Sequence, residues 1–271
     1  MDISLIIVNY KSRHKLAACL ESIKQTPPVG LSYEIIIVDN ASGDELNSLL
    51  SGFDNLKLIV SPKNLGMGGG NNLGIDAASG EYVFILNPDT ILKTGAVETL
   101  LNHLKANTQI GIIGPKLLNS DNSLQYSCLR FPSFFMPLWR RTFIGKYFIR
   151  QNADFQMQAA DHNVLQEVDW LMGSALMFKK EINLPNGQIW RPRFDERYFM
   201  YFEDIDLCRS AWSKGLKVIY NPRAVLIHDH ARESAKYPWY RAIFRDGLAR
   251  RHIMSWLKYF AKWGFSQSVR R

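Results

Sequence analysis

The stretch Tyr82-Val83-Phe84-Ile85-Leu86-Asn87-Pro88-Asp89 decides the fold class of this 271-residue chain. Its five apolar residues have the length of a strand that is buried on both faces, and the turn after them ends in a carboxylate. Similar apolar runs lie at residues 4–10, 34–38 and 56–60, with helical patterns between them. This alternation predicts an α/β protein with a mostly parallel central sheet flanked by helices.

The rest of the chain extends this pattern. Further strands are predicted at residues 110–113, 168–179, 217–220 and 224–227, and further helices at 45–50, 71–78, 96–105 and 202–214. Residues 131–160 are rich in aromatic and basic side chains and show no clear period. We therefore expect one main domain over residues 1–231, with halves at about 1–115 and 116–231, followed by a helical appendage over 232–271.

The net charge of +8 is concentrated in that appendage. Residues 1–231 hold 23 basic and 23 acidic side chains, whereas residues 232–271 hold 10 basic and 2 acidic ones. Apolar Ile253, Trp256, Leu257 and Phe260 fall at helical spacing beside a basic stripe, which predicts an amphipathic helix. Such a helix either packs on the core or lies on an anionic bilayer, which Trp256, Phe260, Trp263 and Phe265 would then contact. We expect no nucleic-acid partner, because no recognition motif accompanies the charge.

Cysteine content and hydropathy bear on the compartment. The three cysteines are widely spaced without a C-x-x-C pair, which is typical of a reducing compartment. The sequence contains no run of 18 apolar residues, so we expect no membrane-spanning helix. The apolar N-terminus is short and is interpreted as a strand rather than a signal peptide. These features predict a cytoplasmic protein, held peripherally on the inner face of the cytoplasmic membrane if the basic helix contacts lipid.

Polar residues follow four successive predicted strands. They are Asn9 and Tyr10, then Asp39, then the segment 64–72 with Asn64, Gly66 and Asn71, then Asn87. Each alone is common in turns. Ligands of such sheets bind at the carboxyl ends of the strands, so together these residues predict one binding crevice.

Four further patterns carry chemistry. Asp89 follows a buried strand and is suited to hold a divalent cation against a diphosphate, although it also suits a helix cap. The glycine-rich segment 64–74 predicts close approach of backbone N–H groups to an anion. Glu203 and Asp204 crowd a helix start, where acids offset the helix dipole. His228 and His230 follow a strand and are candidate metal ligands.

Six ordered motifs together resemble glycosyltransferase family 2, and most closely its bacterial rhamnosyltransferase branch. They span residues 4–10, 38–42, 64–74, 86–90, 170–175 and 199–208. The resemblance implies a GT-A fold, a nucleotide-sugar donor and an inverting reaction. It also implies a divalent metal cofactor, Mg²⁺ or Mn²⁺.

The resemblance assigns a role to each motif. Asp39 matches the residue that reads the pyrimidine base, and Asp89 ends the metal-binding D-x-D, whose first position is Asn87 here. Asp204 matches the catalytic base, and His228 or His230 completes the metal site. The remaining residues line either the donor side or the acceptor side: Asn9, Tyr10, Asn64, Gly66, Asn71 and Asn87 on the former, and Trp170, Gly173 and Glu203 on the latter.

The expected reaction is a single displacement at the anomeric carbon, in which Asp204 accepts the proton of the acceptor hydroxyl. With dTDP-β-L-rhamnose as donor, the acceptor is a glycan or lipid-linked glycan of an O-antigen-like surface polysaccharide. Two alternatives stay open. One is another hexose from a UDP-sugar, such as galactofuranose. The other is a non-catalytic nucleotide-sugar-binding assembly protein at the membrane.

Overall fold

The structure is a computed structural model that describes residues 1–136, 146–229 and 247–265. The strands in these ranges are β1 (Ile3–Asn9), β2 (Tyr33–Asp39), β3 (Leu56–Val60), β4 (Tyr82–Leu86), β5 (Thr90–Leu92), β6 (Ile110–Leu118), β7 (Leu124–Gln125), β8 (Cys128–Leu129), β9 (Gln166–Glu167), β10 (Trp170–Leu171), β11 (Ala175–Lys179), β12 (Ile182–Asn183), β13 (Ile189–Trp190) and β14 (Lys217–His228). The helices are α1 (Arg13–Gln25), α2 (Asn47–Leu50), α3 (Gly66–Ala77), α4 (Ala96–Ala106), α5 (Ile149–Phe155), α6 (Glu203–Ser213) and α7 (Gly247–Trp263).

A ten-stranded sheet forms the centre of the molecule. Its order is β3-β2-β1-β4-β11-β6-β14-β5, with β7 beside β6 and β9 beside β14. The first four strands of this order are parallel. β11 runs antiparallel to both β4 and β6, so the strand direction reverses there. The sheet is thus parallel over β3-β2-β1-β4 and again between β6 and β14, with β11 and β5 as antiparallel neighbours, in agreement with the expected mostly parallel sheet.

Both faces of the sheet are buried, which explains the continuous apolar runs in the sequence. In β1, Ile6 and Val8 belong to the core cluster on one face, whereas Leu5 and Ile7 belong to the cluster on the other. Successive side chains of a strand point to opposite faces, so a strand covered on both sides needs an apolar residue at every position. The predicted halves meet inside β6, and the one sheet runs through both of them.

The glycine-rich segment is helical rather than an open loop. Helix α3 begins at Gly66, five residues before the predicted helix start at residue 71. A Cβ at Gly70 would come within 2.8 Å of Val8, and one at Gly74 would collide with Ile6. The glycines therefore let α3 pack closely on β1. The first N–H groups of α3 are already bonded within the protein, Gly66 to Asn64 Oδ1 and Met67 to the Phe199 carbonyl. The N–H groups of Gly66 and Met67 are therefore not free to bind an anion.

Other boundaries also differ from the sequence-based expectation. The two strands predicted at 217–220 and 224–227 form the single strand β14, whose pairing with β6 shifts register between Asn221 and Val225. The strand predicted at 168–179 is divided into β10 and β11. Thr90–Leu92 forms β5, where the turn at Asp89 was also compatible with a helix start.

The C-terminal helix α7 packs on the main domain. Its Tyr259 and Phe260 are buried in the same core cluster as Leu207 of α6. Trp256 stacks on Phe134 with 4.5 Å between ring centroids, and Trp263 donates its indole N–H to Asp206 Oδ1 at 2.6 Å. Three of the four aromatic side chains expected to face a membrane therefore face protein; the fourth, Phe265, is 70% exposed. The predicted boundary at residue 231 lies outside the described residues. Across the ranges the structure describes, no helix is long and apolar enough to cross a bilayer.

Replacing Lys262 with methionine is expected to lower the free energy of unfolding by about 1–3 kcal/mol, since a hydrogen bond to a buried charge is lost. Lys262 Nζ lies 2.8 Å from Asp206 Oδ2, and the Asp206 side chain is only 2% exposed. The matched control is Lys105→Met, whose partner Asp2 is at the surface. Urea denaturation of both variants checks the prediction, and equal losses would contradict it.

Candidate active site

A buried polar network joins the carboxyl ends of β1 and β2. The fully buried Asn9 amide donates to Asp39 Oδ1 at 3.4 Å, to Ser42 Oγ at 3.2 Å and to Asp44 Oδ2 at 2.9 Å. The Ser42 N–H also donates to Asp39 Oδ1, at 3.3 Å. Asn9 therefore positions Asp39 and does not itself open to the crevice. Tyr10, the next residue, is 42% exposed at the crevice mouth.

Asn40, which with Asp39 follows the predicted strand at residues 34–38 and is expected at the crevice, belongs to this network as well. Its side-chain N–H₂ donates to Asn64 Oδ1 at 3.1 Å and to the Gly66 carbonyl at 2.9 Å, and its Oδ1 accepts from the Leu65 N–H at 2.8 Å. Asn40 thus holds the start of α3 against the end of β2. Farther along α3, Asn71 Oδ1 is buried without a hydrogen-bond partner among the described residues.

Sheet pairing brings Asp89 and His228 together. β5 runs antiparallel to the end of β14 and aligns Thr90 with His228. The Asp229 N–H donates to the Asp89 carbonyl at 2.9 Å. As a result, Asp89 Oδ1 lies 3.2 Å from His228 Nε2. His230, the alternative ligand, lies outside the described residues.

Gln125 orients the His228 ring. Its side-chain amide donates to Asn119 Oδ1 at 2.9 Å, which leaves Gln125 Oε1 facing His228 Nδ1 at 2.6 Å. Nδ1 must therefore carry a proton, and in the neutral ring the lone pair is on Nε2. In metal-binding histidines, the ring nitrogen that does not bind the metal usually donates such a hydrogen bond.

The Asp89–His228 pair fits a divalent cation. A carboxylate oxygen and an imidazole lone pair 3.2 Å apart are two acceptors that a cation between them would satisfy. Nearby, Asn87 Oδ1 is buried with no hydrogen-bond partner in the described ranges. No group of three or more His, Cys, Asp or Glu side chains clusters in those ranges, so the described residues offer two strong ligands. Donor phosphates and water complete the shell of such cations.

Lys15 is a cation at this site that the sequence did not reveal. Its Nζ lies 3.4 Å from Asp89 Oδ2 and donates to the Asp229 carbonyl at 3.1 Å. Burial raises the pKa of Asp89, but His228, when its Nε2 also carries a proton, and Lys15 together outweigh burial, and the net pKa is lowered. Asp89 therefore stays ionised near neutral pH.

Asp204 begins α6 and is held by two backbone donors. Its Oδ2 accepts from the Gly173 N–H at 2.9 Å, and its Oδ1 accepts from the Ile205 N–H at 2.8 Å. Glycine suits residue 173, because a Cβ there would lie 3.0 Å from the Asp204 Cβ. Burial raises the pKa of Asp204, and burial next to Asp204 raises that of Glu203 as well. Two adjacent carboxyl groups with raised pKa values suit proton transfer.

The two residues Gly173 and Ser174 connect this carboxylate to the end of β4. The Gly173 N–H holds Asp204, and the Ser174 carbonyl accepts from the Asn87 N–H at 2.9 Å. Asp204 and Asn87 are therefore joined through two adjacent residues. Trp170, also predicted on the acceptor side, is a core residue that is 8% exposed and donates its indole N–H to the Arg130 carbonyl at 2.7 Å.

A family model described as Glycosyl transferase family 2 matches residues 4–182. The match includes the ends of β1, β2 and β4 and the loop at Gly173. Asp204 and His228 follow it in the chain, so the structure, rather than this match, brings them to the crevice.

Similar curated proteins support the same family. The chain is 29% identical over 262 residues to the low-salt glycan biosynthesis hexosyltransferase Agl10 of Haloferax volcanii, covering 94% of this chain and 77% of that protein. It is 27% identical over 218 residues to the N-acetylglucosaminyl-diphospho-decaprenol L-rhamnosyltransferase of Mycobacterium tuberculosis, covering 75% and 69%. It is 26% identical over 268 residues to the rhamnosyltransferase WbbL of Escherichia coli, covering 93% and 94%.

Among solved structures, the crystal structure of GalNAc-T7 with UDP, GalNAc and Mn²⁺ superposes with a TM-score of 0.64 at 13% identity. The alignment covers 96% of this chain and 47% of that one, so the chain spans about half of that protein. At this identity the likeness concerns the fold. The predicted GT-A architecture is confirmed.

Proposed function

Because the chain belongs to glycosyltransferase family 2, we propose that it is a metal-dependent, inverting rhamnosyltransferase. Its donor is dTDP-β-L-rhamnose, and its acceptor is a lipid-linked glycan in the synthesis of a surface polysaccharide. Two relatives carry names of rhamnosyltransferases, and one of these names specifies a diphospho-decaprenol acceptor.

One observation carries the proposal. The carboxylate of Asp204 and the end of the β4 motif are joined by the Gly173–Ser174 step, through hydrogen bonds of 2.9 Å on either side. An inverting transfer needs a base on one side of the reacting carbon and charge stabilisation for the leaving group on the other. The two functions are thus held at neighbouring positions of one rigid crevice.

Asp204 has the properties of a general base for the acceptor hydroxyl. Its two backbone hydrogen bonds fix the carboxylate, and its raised pKa strengthens it as a proton acceptor while leaving it ionised at neutral pH. The hydroxyl oxygen attacks the anomeric carbon as Asp204 takes its proton, and the bond to the diphosphate oxygen breaks. Lys15, beside Asp89, adds positive charge on the side of the leaving diphosphate.

A divalent cation would be held by Asp89 and His228, with Gln125 orienting the histidine ring. When bound, such an ion stabilises negative charge on phosphate oxygens. The solved GT-A neighbour was crystallised with Mn²⁺, which supports the same cofactor here. On the donor side, Asp39 is held by Asn9 and Ser42 at the end of β2 and is our choice for recognition of the pyrimidine base.

The exposed face of α7 supports an anionic membrane as a partner. The face that remains outside carries Met254 and Leu257 beside Arg251 and Lys258, and Phe265 follows it. Basic helices with such a face bind in the headgroup region. This corrects the choice of aromatic contacts made from the sequence, because Trp256, Phe260 and Trp263 face the protein.

The activity is expected to fall on the acid side with a half-point near pH 6, rather than near the value of about 4 of an ordinary aspartate. Burial raises the pKa of Asp204 to about 6, against the effect of its backbone hydrogen bonds. A base works only when it is deprotonated, so transfer is lost as pH falls through the raised pKa. Initial rates between pH 4.5 and 8 at low acceptor concentration give the half-point. An acid half-point at or below pH 4.5 would contradict the role of Asp204 as the base.

A donor screen tests the proposed function. The protein is incubated with dTDP-L-rhamnose, UDP-galactofuranose and UDP-galactose in the presence of Mg²⁺ or Mn²⁺, and nucleotide release is measured. We expect release of dTDP, which increases when a GlcNAc-diphospho-lipid acceptor is added. Preferential release of UDP would assign another hexose. If no nucleotide is released from any donor, the alternative of a non-catalytic nucleotide-sugar-binding protein is favoured.

A further inference from the structure

A basic cavity lies between helix α7 and the segment that leads into α6. Its volume is about 380 Å³, and its lining includes Phe199, Arg250, Arg251, Met254 and Lys258. No carboxylate is among the lining residues that the structure describes. The cavity is separate from the crevice at the ends of β1, β2 and β4, whose residues do not line it.

Two cations of the cavity, Arg251 and Lys258, have no acidic partner among the residues that the structure describes. The Arg251 guanidinium lies 3.7 Å from the centroid of the Phe199 ring, and Lys258 Nζ donates to the Arg197 carbonyl at 2.7 Å. In the described parts of the chain neither cation contacts a carboxylate. By contrast, Lys262, on the same helix, is paired with Asp195 and Asp206 at 2.8 Å. Arg251 and Lys258 therefore retain their charge for an anion, with N–H groups that suit phosphate oxygens.

The cavity opens onto an apolar stripe. Met254 lines the cavity and is 52% exposed, and Leu257 and Ala261 are exposed at three and seven residues beyond it. This spacing follows one face of a helix. A hydrocarbon chain attached to an anion in the cavity would have this stripe to lie on.

The cavity is also close in sequence to Asp204, the proposed catalytic base. Phe199 is five residues before Asp204, a distance of at most about 17 Å for an extended chain. On its other side, the Phe199 carbonyl accepts from the Met67 N–H at 2.9 Å, at the start of α3. An anion at Arg251 and Lys258 therefore lies within reach of a sugar that presents its hydroxyl to Asp204.

We propose that this cavity binds the diphosphate of the lipid-linked acceptor, and that the isoprenoid chain of that acceptor lies along Met254, Leu257 and Ala261. The inference rests on the proposed function for the nature of the acceptor. It adds a second binding site, for the carrier, beside the crevice that binds the donor.

Binding of farnesyl diphosphate to the full chain tests the proposal without any sugar transfer. Tryptophan fluorescence or calorimetry should show saturable binding that is stronger than binding of inorganic pyrophosphate or of farnesol. The double variant Arg251→Gln/Lys258→Gln should weaken it about tenfold or more, the effect of losing a charged hydrogen bond. The matched control Lys57→Gln/Arg223→Gln removes two exposed cations elsewhere and should bind like the unaltered chain.

A competition experiment separates this cavity from the donor crevice. Saturating dTDP should not displace farnesyl diphosphate, because the nucleotide occupies the donor crevice. Displacement by dTDP, absence of saturable binding, or equal binding by the double variant and the control would overturn the proposal. Thermal melting verifies that the variants are folded. Arg251→Lys, which keeps the charge, should bind farnesyl diphosphate more tightly than Arg251→Gln.

Donor hydrolysis distinguishes this inference from the proposed function. The double variant should release dTDP from dTDP-L-rhamnose at the unaltered rate while its KM for a diphospho-lipid acceptor rises about tenfold or more. If neither the unaltered chain nor any variant hydrolyses a donor, the proposed function fails. The binding of farnesyl diphosphate would still test the cavity on its own.

Discussion

Replacing Asp204 with asparagine is expected to lower the turnover number by about two to four orders of magnitude, the usual contribution of general-base catalysis. The asparagine oxygen can still accept from the Gly173 or the Ile205 N–H, so the loop geometry is retained. Its amide cannot take a proton from the acceptor hydroxyl. We therefore expect kcat to fall while the KM for the donor and the melting temperature change little.

Glu203→Gln is the matched control, because Glu203 is the adjacent buried carboxyl group with a raised pKa. If Asp204 is the base, Glu203→Gln retains most of the turnover that Asp204→Asn loses. Single-turnover transfer and donor hydrolysis should both be measured, since hydrolysis by water also reports donor binding. Near-normal transfer by Asp204→Asn together with a large loss in Glu203→Gln would move the role to Glu203.

The central strands could be predicted from sequence because their signal is local. Every residue of β1 and β4 is buried, and continuous apolar runs of this length leave little choice of structure. The glycine-rich segment was predicted less well. Glycine is a poor helix former, so propensity favours a loop there. The tight packing of α3 on Val8 and Ile6 overrides propensity, and such packing is not visible before the strands are in place.

The candidate site divides in the same way. Asp39, Asp89 and Asp204 follow strands or begin a helix, which are positions that a pattern marks. Lys15 gave no such signal, because it lies within a surface helix and approaches Asp89 across 74 positions of the chain. Gln125 reaches His228 across 103 positions.

The amphipathic pattern of the C-terminal helix is another limit of sequence reasoning. Periodicity shows that one face is apolar but not what covers it. Here the aromatic face covers Asp206, Arg209 and Phe134 of the main domain, and Arg209 Nη1 donates to the Tyr259 hydroxyl at 2.8 Å. The smaller apolar stripe at Met254 and Leu257 faces outward.

Replacing Asp89 with alanine is expected to lower turnover by about two to three orders of magnitude, the cost of losing one group that stabilises transition-state charge. The carboxylate is the one strong oxygen ligand beside His228, and its loss leaves the imidazole as the only strong ligand that the described residues supply. EDTA should inactivate the unaltered chain, and Mn²⁺ should restore it. Binding of Mn²⁺ in the presence of dTDP, followed by electron paramagnetic resonance, should be lost in Asp89→Ala.

Gln125→Leu gives the graded comparison. It leaves both proposed ligands in place but removes the 2.6 Å contact that orients His228. We expect it to weaken Mn²⁺ binding by about 10–100-fold, the usual effect of removing a group that orients a metal ligand, with activity restored at high Mn²⁺. Asp89→Ala should not be restored. Lys15→Met decides the remaining case: if the unaltered chain is indifferent to EDTA and Lys15→Met abolishes transfer, the charge on the leaving diphosphate is stabilised by lysine, and the metal mechanism is wrong.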